Sequence, residues 1–364
     1  MILHRYIARR FVLTFLAVTS AFAAIIILVD LIEQIGELGK TGAGIPALLG
    51  LSVLHAPDAL YRILPLLVLL GSVALFLALA RSSELVVVRA AGRSALRALL
   101  GPAIVVLLIG VLAVAMGNPI VAATTQKYET FRGALSGERP QIAALGMNGL
   151  WLRQGDAEGQ TVIRAAHANA DGTLLTGVSF VHFDASGAPQ TRIEATTARL
   201  TDGAWLIAGA KQWPLDADAP ESDAEIPGEI RLPSSLTREQ IRDSFGDPSA
   251  VPIWELPAFI QGLEQAGFTA RRHQVWMQSE LALPLFLLAM LLVAAAFTMG
   301  HPRGARTGLA VLVTVLTGFA LYFARNFAMV LGENGQIPVA LAAWAPPVAA
   351  VMLALGLMLI TEDG

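Results

Sequence analysis

Six stretches without a single charged side chain constrain this chain more than anything else in it: residues 11–29, 63–80, 98–125, 281–300, 307–324 and 335–360. Crossing the hydrocarbon core takes roughly 20 mainly apolar residues in a helix, and each stretch is close to that length or longer. Between the third and the fourth lies a more polar region of about 150 residues. The expected layout is three membrane helices, a domain outside the bilayer, and three more helices. In residue numbers this is 1–126, 127–272 and 273–364, with a short surface helix at about 81–92. The composition agrees: 55% hydrophobic and 15% charged residues are too apolar a mixture for an ordinary soluble protein.

The basic residues of the short loops give an orientation. Arg5, Arg9 and Arg10 precede the first apolar stretch; Arg81, Arg89, Arg93 and Arg97 lie between the second and third; Arg303 and Arg306 lie between the fourth and fifth. If every stretch spans, these nine fall on one side, against Lys40 alone in the opposing short loops. Both termini are therefore expected in the cytoplasm and the large domain outside, in the periplasm of a Gram-negative cell. Arg9-Arg10, an apolar run and Ala21-Phe22-Ala23 also resemble a secretory signal with a cleavage site. The run continues to Val29, long enough to span, so an uncleaved first helix is the expectation.

From residue 149 to 213 the pattern changes to short alternating segments. Residues 161–165, 177–183, 191–200 and 204–212 are rich in Val, Ile, Thr and aromatics and read as strands. Asp184-Ala-Ser-Gly187 and Thr201-Asp-Gly203 are turn sequences between them. An antiparallel sandwich or open barrel is expected. The acidic, proline-bearing stretch 214–229 reads as a solvated loop. Residues 253–266 carry Leu256, Phe259, Ile260 and Leu263 at helical spacing and read as an amphipathic helix leading back to the membrane. The greasy interior of the sheet fits either a packed core or an apolar trough that receives something hydrophobic.

Signs of catalysis are missing. His4, His55, His167, His182, His273 and His301 are scattered, with no His-x-x-x-His pair to hold a metal. No Gly-x-Ser-x-Gly elbow and no Gly-x-x-x-x-Gly-Lys-Ser/Thr loop occurs. There is no cysteine, which excludes disulfides and thiolate metal sites, and the net charge of −3 suggests no nucleic-acid partner. No enzyme activity, cofactor or metal is expected, and uphill transport would need a separate ATPase. Asp30, Glu33, Lys40, Asp58, Arg62 and Arg325 fall near the external interface, where burial of charge is expensive. Pairing or snorkelling to headgroups is one reading. The other is that Lys40, Arg62 and Arg325 meet the phosphates of an anionic lipid, for which an arginine fork is well shaped. Pro57, Pro65 and Pro284 permit local bending of their helices.

The stretch from Arg81 to Gly92 is too specific for a mere connector. Glu84 and Arg89 flank the apolar Leu85-Val-Val-Val88, and Gly92 supplies a helix stop. A surface helix with one greasy face and a carboxylate is what a cytoplasmic motor needs to grip. Together with Leu3-His-Arg5-Tyr6-Ile7, Pro57, Leu64-Pro65, Leu69-Leu70-Gly71, Ser83-Glu84-Leu85, Arg89-Ala-Ala-Gly92, Gly149-Leu-Trp151, and Gly335 to Pro338 with Trp344 and Pro346, it resembles the YjgP/YjgQ family. These are the LptF and LptG permease subunits of the lipopolysaccharide export ABC transporter. The resemblance spans essentially the whole chain and is stronger toward the LptG branch than toward LptF.

The resemblance implies a β-jellyroll-like periplasmic domain and an inner-membrane, multi-pass chain. Its implied partners are an LptF-like permease, a dimer of an LptB-like ATPase, an LptC-like single-span protein and an LptA-like periplasmic bridge. It places Arg81, Ser83, Glu84, Leu85, Arg89 and Gly92 in a coupling helix docked on the ATPase. The family often has lysines at the outer end of the first helix, where this chain has Glu33 and Gln34, leaving Lys40 alone. Moving one acyl chain of about fourteen carbons into water costs about 11 kcal/mol at ~0.8 kcal/mol per methylene. Several chains on one lipid therefore call for driven extraction and a dry path onward. The alternatives are the LptF paralogue, a permease that moves an external domain without passing lipid, and a passive scaffold, for which one span would suffice.

Overall fold

A computed structural model describes residues 2–39, 43–82, 84, 95–136, 144–146, 149–155, 159–169, 172–184, 186–201, 203–215, 224–234, 236–237, 241, 247–265, 268–299 and 306–362. In chain order the elements are α1 (Ile2–Leu38), α2 (Ile45–Arg62), α3 (Leu64–Arg81), α4 (Ala95–Leu112), a π turn (Ala113–Gly117) and α5 (Asn118–Ser136). Seven strands follow: β1 (Ala144–Gly146), β2 (Gly149–Gly155), β3 (Gly159–Ala168), β4 (Leu174–Asp184), β5 (Pro189–Thr201), β6 (Ala204–Pro214) and β7 (Glu229–Pro233). The chain closes with α6 (Leu256–Gln265), α7 (Arg271–Thr298), α8 (Arg306–Glu333) and α9 (Val339–Glu362). Two compact units result: a helical one of Met1–Gly137, Ser249–Trp254 and Arg271–Gly364, and a strand-rich one of Glu138–Pro248 and Glu255–Ala270.

Among the described residues the helical unit contains six helices long and apolar enough to cross a membrane: Leu3–Leu38, Leu64–Arg81, Leu99–Leu135, Arg271–Thr298, Thr307–Glu333 and Val339–Ile360. Its centre is α7, which packs against α3, α4, α8 and α9 and buries Phe286, Leu287, Met290 and Leu291 completely. Small residues set the closest approaches. A Cβ at Gly110 of α4 would lie 2.6 Å from the Pro284 Cα of α7, and one at Gly71 of α3 would lie 3.2 Å from the Phe15 Cα of α1. Pro65 does not bend a continuous helix as expected from the sequence. Instead Ile63 breaks the chain at φ −94°, ψ 5°, and Pro65 opens α3, where its missing N–H costs nothing. The preceding α2 is thus a separate helix, and its Pro57 lies inside it.

The strand-rich unit is one antiparallel sheet in which lateral neighbours are chain neighbours, β1 through β7 in order. Sequence alternation located β3 to β6 but not the short β1, the strand β2 that follows it, or β7, whose side chains alternate between exposed and half-buried. One face is filled: Leu150, Ile163, Phe180, Trp205 and Ile207 are all at most 1% exposed, and Phe180 meets Trp205 edge to face. These rows form a packed core. Leu256, Ile260 and Leu263 of α6 are buried in the same unit. On the β4–β5 hairpin, Asp184 accepts hydrogen bonds from the Ser186 side chain, the Ala188 and Ser186 N–H groups and Gln190, which hold its carboxyl at about 2.

The alternation slips by one residue in four adjacent strands at the same level. Ala165, Ala168, Leu175, Val178, Ala195, Ala198, Ile207 and Ala210 are buried, while the two residues between each pair point outward. Cross-strand partners are continuous on both sides of this row: Ala165 with Val178, Val178 with Ala195 and Ala195 with Ala210 on one side, and Thr176 with Thr197 and Thr197 with Ala208 on the other. Gly177 and Gly209 lie in the row with φ of +61° and +64°. The result is a crease across the sheet in which the register is kept while the inward–outward alternation resets in each strand, at a row where glycines relieve the backbone. A Cβ at Gly209 would also lie 2.7 Å from Thr196 Oγ1. Gly209→Val is therefore expected to weaken this unit by about 1–3 kcal/mol. Faster amide hydrogen exchange in β5 and β6 would report it; unchanged exchange would remove the strain argument.

Candidate functional site

The polar side chains of the helical unit gather in three places. The first is where α1 begins and α3 ends. Glu84, half-buried just beyond α3, accepts from Arg10 Nη1 at 2.8 Å, from Ser82 Oγ at 2.8 Å and from the Tyr6 hydroxyl at 3.4 Å. The Arg10 guanidinium also lies 5.2 Å from the centre of the Tyr6 ring. Arg81 closes α3 and is exposed. Ser83, Leu85, Arg89 and Gly92, expected with these residues in a coupling helix, lie outside the described residues.

The second group ties the far end of α1 to α2 and α5. Buried Asp30 accepts from His55 Nδ1 at 2.7 Å, and His55 stacks on Tyr128 with 5.0 Å between ring centres. Gln34 Nε2 donates to the Tyr128 hydroxyl at 3.0 Å, and Arg132 pairs with Glu37 at 2.7 Å. Leu38, Leu48 and Leu51 close the contact with Leu31 and Leu135. Glu33 is exposed. Within α2, Arg62 Nε pairs with Asp58 at 2.9 Å, leaving the arginine half exposed and the aspartate buried. Lys40 lies outside the described residues.

The third group is the most deeply buried. Glu280 of α7, only 2% exposed, accepts from the Tyr61 hydroxyl of α2 and from Asn118 Nδ2 of α5 at 3.3 Å. Asn118 follows the π turn directly, and its Oδ1 accepts from the Ile253 N–H at 2.8 Å; Trp254 Nε1 donates to the Ala115 carbonyl inside that turn at 3.2 Å. Such turns widen a helix locally and often mark functional positions. Arg325 of α8 is drawn to Glu280 electrostatically, lies 5.4 Å from the Phe286 ring centre, and is only 8% exposed. It is therefore enclosed within the bundle, while Arg62 is open to solvent or headgroups. Glu280 was not singled out from the sequence; it stands immediately before the charge-free run 281–300, and the helix begins ten residues earlier than that run, at Arg271.

None of these groups resembles a reactive constellation, and among the described residues no three His, Asp or Glu side chains converge as metal ligands. They are struts between helices. A helical unit of six apolar spans, interrupted by an antiparallel β domain and braced by buried polar ties, defines a multi-pass membrane protein. The sequence matches the family described as lipopolysaccharide export system permease LptF/LptG over residues 5–362. The chain belongs to this family, whose members are non-catalytic permease subunits of an ABC transporter. It is 25% identical over 332 residues to the lipopolysaccharide export system permease protein LptG of Escherichia coli K12, covering 88% of each chain, and equally to that of Escherichia coli O6:H1.

Proposed function

We propose that this chain is the LptG-type subunit of an inner-membrane complex that extracts lipopolysaccharide and passes it toward a periplasmic bridge. The supporting observation is similarity to two LptG proteins along 88% of the chain, together with the six apolar spans and the inserted β domain of this chain. Its partners are an LptF-like permease, an LptB-like ATPase dimer, an LptC-like single-span protein and an LptA-like bridge. Both termini lie in the cytoplasm and the β domain in the periplasm, in line with the nine basic residues of the short loops on one side. ATP is hydrolysed in the separate subunit, since this sequence carries no phosphate-binding loop.

In this reading Arg81, Ser83, Glu84, Leu85, Arg89 and Gly92 form the coupling helix. Lys40 and Arg62 offer charge to lipid phosphates from the outer leaflet. Arg325, first grouped with them, suits a different task because it is enclosed beside Glu280. Complementation tests the branch: expression of this chain rescues a cell depleted of LptG and fails to rescue one depleted of LptF. Rescue of the LptF-depleted cell alone would assign the other branch, and rescue of neither would count against the export role.

A further inference from the structure

We infer that Arg10 is a positioning residue that joins the coupling segment to α1, which makes α1 the helix that the ATPase moves. The inference rests on the proposed reading of Glu84 as a coupling residue. It goes beyond that reading by naming the receiver of the motion and the side chain that delivers it.

Among the described residues, two of the three donors on the Glu84 carboxylate, Tyr6 and Arg10, come from α1, although they are 78 and 74 residues away in the chain. The third, Ser82, orients the same oxygen from the end of α3. Arg10 is further held over the Tyr6 ring, so its fork approaches Glu84 in a fixed orientation. A displacement of Glu84 therefore passes to α1 through these side chains, as well as to α3 through the backbone and Ser82.

The helix is built to carry such a displacement. It runs unbroken from Ile2 to Leu38 with no proline in it, so the kinks that absorb motion elsewhere are missing. Only 6% of its apolar span is buried, the least of the six spans. Leu13, Leu16, Ile25, Leu28, Val29 and Ile32 are all more than half exposed. One flank of the helix is thus free of packing within the chain, while Ile7, Phe11 and Phe15 are buried and the helix packs against α2, α3 and α4. Its far end, about 30 Å from Arg10 at 1.5 Å per residue, meets the Asp30–His55, Gln34–Tyr128 and Glu37–Arg132 ties. Motion begun at Arg10 arrives where α1 is fastened to α2 and α5.

A static role for the pair would be small. Both side chains are about a third exposed, 37% for Arg10 and 32% for Glu84, and such pairs contribute about 1 kcal/mol at most. A large functional effect of Arg10 would therefore not be a stability effect.

The chain has no cysteine, so spin labels can be placed at Ile32→Cys on α1 and Leu353→Cys on α9, both exposed, in the assembled complex in lipid nanodiscs. The distance between them is expected to change when the ATPase is trapped with ATP. Arg10→Gln should abolish at least half of that change and reduce lipid release per ATP about tenfold, within the usual range of coupling factors. The ATPase subunit should still copurify and hydrolyse ATP, and Arg10→Lys should restore both readouts. An unmoved label pair in the unsubstituted complex, an unchanged shift in Arg10→Gln, or loss of the ATPase subunit from that variant would each overturn the inference. Failure of the underlying coupling reading looks different: Glu84→Gln would leave ATPase association, hydrolysis and lipid release all unchanged.

Discussion

Glu84→Lys is expected to cut ATP-driven lipid export by at least about tenfold, while the chain still inserts and pairs with its partner permease. The substitution acts twice. It removes the carboxylate proposed to face the ATPase, and it sets an ammonium against Arg10, whose guanidinium stands 2.8 Å from the present carboxylate. The local penalty stays near 1 kcal/mol because water reaches both groups, so membrane insertion and thermal stability should change little. Export measured in proteoliposomes alongside melting in detergent separates the two effects. Export at the unsubstituted level would remove Glu84 from the coupling machinery. A collapse of stability would recast it as a structural residue.

Glu280→Ala is expected to lower stability by about 3–5 kcal/mol, the usual cost of removing one partner from a buried charged group. The carboxylate is the common acceptor for Tyr61 and Asn118 and a countercharge acting on Arg325, so one deletion takes the acceptor from two donors in an apolar bundle and leaves the arginine with less compensation. Tyr61 lies on α2, Asn118 on α5 and Arg325 on α8, so the loss would loosen every contact that α7 makes through this point. Glu280→Gln keeps an acceptor for Tyr61 and Asn118 and should cost much less. Melting of the detergent-extracted chain should fall by roughly 10 °C for the alanine variant, with the glutamine variant between. Equal melting of all three would mean that the cluster is solvated or satisfied in another way.

The six spans were legible because exclusion of charge over about 20 residues is a strong and local signal. Their limits were less so. Glu280 ended the fourth apolar run in the sequence, yet α7 continues through it to Arg271, whose guanidinium is satisfied by the carbonyls of Gly332 and Ile337 at 2.6 Å each. A charge looks like a boundary until its partners, far away in the chain, are known. The same holds for Arg10 with Glu84 and for Asp30 with His55: Arg10, Glu84 and Asp30 stood out as polar near an apolar run and His55 only as one of six scattered histidines, and no spacing rule pairs residues on different helices. In the β domain, alternation found β3 to β6 and hid the crease, because a slip of one residue around Gly177 or Gly209 reads as noise in any single strand. It becomes a pattern only when four strands are aligned. Arg62 and Arg325 looked alike in sequence, each a lone arginine near a helix end, and packing separates them.

The most direct test of the central claim, a lipid-export permease driven by a separate ATPase, is native mass spectrometry of the chain extracted gently from its own membrane through a C-terminal tag. The account predicts a complex with a second permease of the same family, a pair of small ATPase subunits and an adduct of glycolipid mass. A lone chain or a homodimer, with neither ATPase nor lipid, would contradict it.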